Sequence, residues 1–366
     1  MTRSFRPTLA VVAVLAGAPS TAPAQALDRL VSGAPDGTVQ FHFAAREGVC
    51  GNGHSFYRAS EMGYYSSYNN GNGNDDNCAR GPVRAVIVRA GREVIRIETY
   101  AGPLSNDPDG GKDLGAVPAR EAAAYLLGLA ATLDGRPARD AIQPAILADS
   151  AVLTPQLTQL ARDQARARDV RSSAISWLAR RRGEPGGVGA AAAQRTLDAI
   201  VRDRNESESI RRTALSTVGN FERGEGIPLL IAFAGDADSW ISRQALSSLA
   251  NSGDPRARQF VRDALRRTDL PEESRSAVIR GVGNDYATSA DYKLLRELYP
   301  SVNTDQERNA IINVVGNAGG TENVNWLLAL AKSPTETAGR RRQAVSALSR
   351  NDDPRVKDAL KGLIDR

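Results

Sequence analysis

The chain has 366 residues, with 47 Lys and Arg against 42 Asp and Glu, two Cys, two His and 5% aromatic residues. So little Cys and His excludes zinc fingers, three-His metal centres and iron–sulfur ligation. The basic residues are interspersed with acids, which argues against a nucleic-acid partner.

Met1–Arg6 is basic, Leu9–Gly17 is apolar, and small residues continue to Ala24-Gln25-Ala26. These are the three parts of a secretory signal peptide. Residues 1–26 are therefore expected to be removed by cleavage after Ala26, leaving a secreted or periplasmic chain. Loss of Arg3 and Arg6 brings the charge balance to 45 against 42. The apolar core is about half of what a bilayer crossing needs, and no other stretch approaches that length, so no membrane span is expected. In an oxidising compartment Cys50 and Cys78 are expected to form a disulfide.

Residues 27–116 read as a small β-rich domain. Val39, Phe41 and Phe43 alternate with Gln40, His42 and Ala44, the period of a strand. Two further strands, 83–89 and 93–100, are joined by Ala90-Gly91-Arg92 as a hairpin. Three strands make a minimal antiparallel sheet, which has to lean on another element. Between them, residues 51–80 hold Tyr57, Tyr64, Tyr65 and Tyr68 among Gly, Asn and Ser, the mixture found in binding loops. The same segment also reads as a surface loop whose tyrosines pack on the sheet. Asn72, Asn74 and Asp76 alternate like the start of a calcium loop. Asn77 stands where that loop needs Gly, however, and Val83 where it needs Glu. His42 and His54 are too few and too far apart for a metal site, and no cofactor is expected.

From residue 117 onward the period is helical. Segments 121–130 and 138–148 read as helices separated by Gly135-Arg136-Pro137. Six apolar anchors follow, at Leu178, Val218, Leu249, Val282, Val315 and Leu348, with gaps of 40, 31, 33, 33 and 33. Small or apolar residues stand three and four positions before each anchor, completing one helix face. Val-Gly-Asn recurs at 218–220, 282–284 and 315–317, its Gly expected as a left-handed helix C-cap. Arg243-Gln-Ala-Leu-Ser is echoed by Arg342-Gln-Ala-Val-Ser, and Asp254-Pro-Arg by Asp353-Pro-Arg, each 99 residues on. A second amphipathic run lies between anchors, from Leu157–Ala161 to a last one ending at 360–364. Each unit is thus a helix pair that cannot bury its own apolar stripe, and stacking supplies the core. The expected fold is mainly α, a right-handed α-solenoid over residues 117–366 preceded by a small disulfide-bearing antiparallel β unit. The longest gap holds the loop 180–189.

Asp169-Val170-Arg171 followed by Ala174-Ile175 and Leu178 resembles the second-helix signature of HEAT repeats, and the resemblance covers residues 137–366. An Arg seven positions before the anchor recurs as Arg171, Arg211, Arg275, Arg308 and Arg341, with Ser242 departing from it. The resemblance implies that this Arg belongs to a ladder of contacts between neighbouring repeats, and that the partner is a protein or peptide. With its leader, the layout resembles exported bacterial HEAT-repeat proteins.

No G-x-S-x-G, H-E-x-x-H or G-x-x-x-x-G-K-[ST] string is present. Gly187-Val-Gly189-Ala-Ala-Ala192 matches a dinucleotide fingerprint but follows no strand. A non-catalytic binding scaffold is the leading expectation, using the solenoid surface and the Tyr-bearing loop. The five Arg could instead form a basic stripe that grips acidic segments. Other classes left open are an envelope polymer or glycan binder, and a carboxylate hydrolase with two facing acids.

Overall fold

The computed structural model describes residues 23–54, 56–59, 64–67, 78–104, 111–180, 189–267, 270–350 and Val356. Residues 1–22 of the expected 1–26 leader, the calcium-like run 72–76, the loop 181–188 and the last amphipathic run at 360–364 lie outside the described residues.

The chain enters through helix α1 (Pro23–Ser32), whose Leu27 and Val31, four apart, are both buried. Strand β1 (Gly37–Phe43) follows, then the short strands β2 (Val49–Gly51), β3 (Phe56–Ala59) and β4 (Tyr64–Ser67). Next come the hairpin strands β5 (Val83–Ala90) and β6 (Glu93–Ala101), and then β7 (Lys112–Ala116). The main sheet has the order β6-β5-β1-β7. The β1–β5–β6 core is antiparallel as expected, and β7 adds a strand parallel to β1. The hairpin closes on Gly91-Arg92, with Gly91 at φ +61°, a conformation that suits a residue without Cβ. A register shift leaves Ile95 unpaired and 54% exposed, so Ile97, Thr99 and Ala101 take the inner face.

The segment read as a loop is partly a sheet of its own, β2-β3-β4. The Cys50–Cys78 disulfide ties it off, with the two Cα atoms 5.1 Å apart. Beside it, Gly51 and Ala79 exchange backbone hydrogen bonds of 3.0 Å.

Helices α2 (Ala119–Thr132) and α3 (Gly135–Leu147) form the first pair and cover the sheet. Tyr125 of α2 meets Phe41 edge-on, with ring centroids 6.1 Å apart. Six pairs follow: α4 (Thr154–Arg162) with α5 (Arg168–Leu178), α6 (Gly189–Arg202) with α7 (Glu208–Gly219), and α8 (Ile227–Ala234) with α9 (Ser239–Ala250). Then come α10 (Pro255–Arg266) with α11 (Glu272–Val282), α12 (Ser289–Leu298) with α13 (Asp305–Ala318), and α14 (Thr321–Lys332) with α15 (Ala338–Leu348). The second helices stack on one another from α3 through α15 in steps of one pair. All six anchors are buried, as are the residues four before them, so one hydrophobic core runs from the sheet to α15. This is the solenoid the spacing implies, with the sheet sealing its first pair.

The recurring Val-Gly-Asn glycines do another job than the one expected. None of Gly219, Gly283 and Gly316 has a positive φ, so none is a left-handed cap. A Cβ on Gly316 would lie 2.6 Å from Cβ of Ala347, and one on Gly283 would lie 2.3 Å from Val314. At these two positions the glycine lets the second helix of one pair approach that of the next. The same closeness recurs within α11, where a Cβ on Gly281 would lie 2.7 Å from Ala250.

Candidate functional site

The recurring Arg sits early in each second helix, and in four of the five its side chain donates to a carbonyl at or just beyond the end of the preceding first helix. The last carbonyls of a helix lack intrahelical donors and carry partial negative charge, so a guanidinium suits them. Arg171 donates from Nε and Nη2 to the Ala161 carbonyl at 3.1 Å, and Arg211 from Nε to Val201 at 2.8 Å. Arg308 donates to Val302 at 2.9 Å and Arg341 to Ser333 at 3.4 Å. Ser242, the departure from the pattern, does the same with a hydroxyl, donating to Ala234 at 2.7 Å.

Several of these groups also reach an acid of the following pair. Arg171 binds both carboxylate oxygens of Glu206, Arg211 lies 3.5 Å from Asp238, and Arg275 lies 3.7 Å from Glu307. The Arg171 guanidinium beside Glu206 holds its carboxyl below the usual carboxylate range. Arg211 and Arg308 stack over Trp240 and Tyr299. Arg171 and Arg275 are buried, and Arg211, Arg308 and Arg341 are half-buried. Each of Arg171, Arg211, Arg275, Arg308 and Arg341 thus engages a carbonyl or an acid of the array itself.

The tyrosines divide. Tyr57 is wholly buried, and Gln143 of α3 donates to its hydroxyl. It fastens the disulfide-bearing strands to the first helix pair. Tyr64 and Tyr65 lie on β4, whose backbone pairs with β3. Tyr68 lies outside the described residues. His54 is exposed, with Nδ1 3.0 Å from the Asn52 carbonyl. Among the described residues, no cluster of three His, Cys, Asp or Glu could hold a metal, and no helix is long and apolar enough to cross a membrane.

An open site lies elsewhere, on the outward faces of α7 and α9. Arg212 and Ser216 from α7 and Gln244, Ser247 and Ser248 from α9 line a groove of about 560 Å³, with Tyr286 from the loop after α11 at its edge. Their spacings of three and four are the helix repeat, offset from the buried Ala245, Leu246 and Leu249. Tyr286 is 59% exposed, and its placement is built: its backbone N–H donates to Asn284 Oδ1 at 3.0 Å. Its ring also leans on Gly253, where a Cβ would come within 2.8 Å. Sequence patterning marks which faces are buried but not which polar face becomes concave enough to hold something.

Residues 193–283 match the family model for HEAT repeats. Among solved structures, human deoxyhypusine hydroxylase in complex with glycerol is similar at 14% identity over 67% of this chain and 90% of that one, with a TM-score of 0.29. A computationally designed armadillo repeat protein for modular peptide recognition is similar at 16% identity over 54% of this chain and 100% of that one, with a TM-score of 0.31. At these scores the likenesses carry no argument about activity or partner. No curated protein matches the chain. The family match falls on α6 to α11, three successive pairs of the stacked array, so HEAT-repeat likeness is shown for residues 193–283, and the same helix pairing continues on either side of them.

Proposed function

We propose that this chain is a non-catalytic protein-binding scaffold, exported to the periplasm or cell envelope, which holds an extended peptide segment of its partner in the α7–α9 groove. The groove carries the reading. Ser, Gln and Asn side chains offer both donors and acceptors to a peptide backbone, Arg212 offers a charge, and Tyr286 offers apolar area at small entropic cost. A hydrolase reading has less support, because the most buried acids are tied to arginines: Asp291, Glu307 and Glu206 each face one. A general acid needs a raised pKa, and Asp291 and Glu206 are both shifted down. Burial of Tyr57 likewise removes support from glycan binding by the disulfide-bearing segment.

The test is affinity capture from the native exported fraction, with the wild-type chain and Tyr286→Ala as baits. Tyr286 is exposed, so the melting temperature is expected to stay put while capture of the partner falls about tenfold, the scale of a tyrosine hot spot. Equal capture by both baits would remove the groove from the account. Export has its own measurement. The N-terminal sequence of the mature chain should begin at Leu27, and a chain retaining Met1 would end that part of the proposal.

A further inference from the structure

A cleft of about 510 Å³ lies between α1, the β5–β6 turn and α2, at the opposite end of the molecule from the last helix pair. Its apolar lining comes from Val31, Val94, Leu129 and Leu133. Three guanidinia, Arg29, Arg89 and Arg92, face a single acid, Asp28. Arg89 is buried and spoken for. It donates to the Val31, Ser32 and Ala34 carbonyls at the end of α1 and to Gly91, so it closes that helix. Arg29 and Arg92 are exposed, and no ion pair engages either one among the described residues. Leu30 and Ile95, each next in sequence to a lining residue, are 55% and 54% exposed.

Apolar walls with an excess of unpaired positive charge at the mouth suit a ligand with an apolar body and an anionic end. We propose that this cleft binds a single-chain amphipathic carboxylate, its head between Arg29 and Arg92 and its chain along Leu129 and Leu133. Tyr125 at the floor stays a protonated phenol, because burial, reinforced by Asp28, disfavours its ionisation. It is therefore a donor and adds no competing negative charge. The volume falls within the range of small-molecule sites and fits one chain.

Titration calorimetry on the full exported chain tests this with three probes: decanoate, acetate and decyltrimethylammonium. Decanoate is expected to saturate one site below its micelle-forming range. Acetate lacks the chain and decyltrimethylammonium carries the wrong charge, and neither is expected to bind. The double variant Arg29→Glu, Arg92→Glu should weaken decanoate by about tenfold or more with no change in melting, since two exposed charge contacts are reversed. Binding of the cation as tight as decanoate, affinity unchanged in the double variant, or no decanoate binding would each overturn the proposal. None of these outcomes bears on the α7–α9 groove, which is probed separately by Tyr286→Ala.

Discussion

Asp291→Ala is expected to lower stability by about 3–5 kcal/mol, the cost of leaving buried positive charge uncompensated, as measured by urea unfolding. Asp291 is 1% exposed and sits at the start of α12, where it joins two neighbouring pairs. Arg258 of α10 donates to it at 2.7 Å and Arg262 at 2.8 Å, while the Thr288 backbone N–H and hydroxyl each donate at 2.8 Å. Arg258 is itself buried and also reaches the Val282 carbonyl at 3.1 Å. Removing the carboxylate strands this guanidinium at the junction of α9, α11 and α12. Asp291→Asn keeps the shape but loses the charge, and is expected to fall between wild type and Ala.

The pH dependence follows from the same geometry. Burial works against the Asp291 carboxylate, but hydrogen bonds from Arg262, Thr288 and Arg258 outweigh it and hold its pKa well below the usual carboxylate range. A group whose folded pKa is depressed contributes its full stability above its unfolded pKa and loses it as pH falls through the folded one. The gap between wild type and Asp291→Ala should therefore be constant above about pH 4 and shrink only in stronger acid. A gap already closing near neutrality would contradict the arrangement.

The second large effect is expected at the other end. Replacing both cysteines, Cys50→Ser with Cys78→Ser, should cost about 3–4 kcal/mol on the loop-entropy model for their separation of 28 residues. The loss should be local at first. Amide exchange in β1, β5 and β6 is expected to quicken, while the fluorescence of the three tryptophans, Trp177, Trp240 and Trp326 on α5, α9 and α14, keeps its transition. In a stacked array each unit is coupled chiefly to its neighbours. A shift of the tryptophan transition as large as that of the sheet would show instead that the whole chain unfolds as one body.

What could be read in advance follows from how local the cause is. The helix pairs were legible because each unit buries the same face and the pattern recurs six times over. The role of the recurring Arg was legible only through family resemblance, since its partners are carbonyls six to ten residues away and acids in the next pair. The glycines at 283 and 316 invited a local explanation, a cap, when the cause is the next helix. Strand β7 carries no alternation in Lys112-Asp-Leu-Gly-Ala, and it forms because β1 has an unpaired edge for it. Helix α1 was hidden because its first four residues fall in the segment 1–26 read as a leader, although Leu27 and Val31 at a spacing of four were a readable sign. The α7–α9 groove was not legible, because some of its polar residues, Gln244 and Ser247 among them, recur in other repeats, and what makes them a groove is how α7, α9 and Tyr286 come together.

The sheet seated on α2 and α3 gives the array a polarity. Its first pair is closed on the outer side by Phe41, Tyr57 and the strands that carry them, so no further pair can be added there without displacing a folded unit. Among the described residues no strand follows α15. Growth of the chain by copying whole pairs is thus barred at the sheet-capped side. The echo of Arg243-Gln-Ala-Leu-Ser in Arg342-Gln-Ala-Val-Ser, 99 residues on, is the interval that a copy of three pairs would leave. A lineage of such chains would keep a constant head and vary in the number of units behind it.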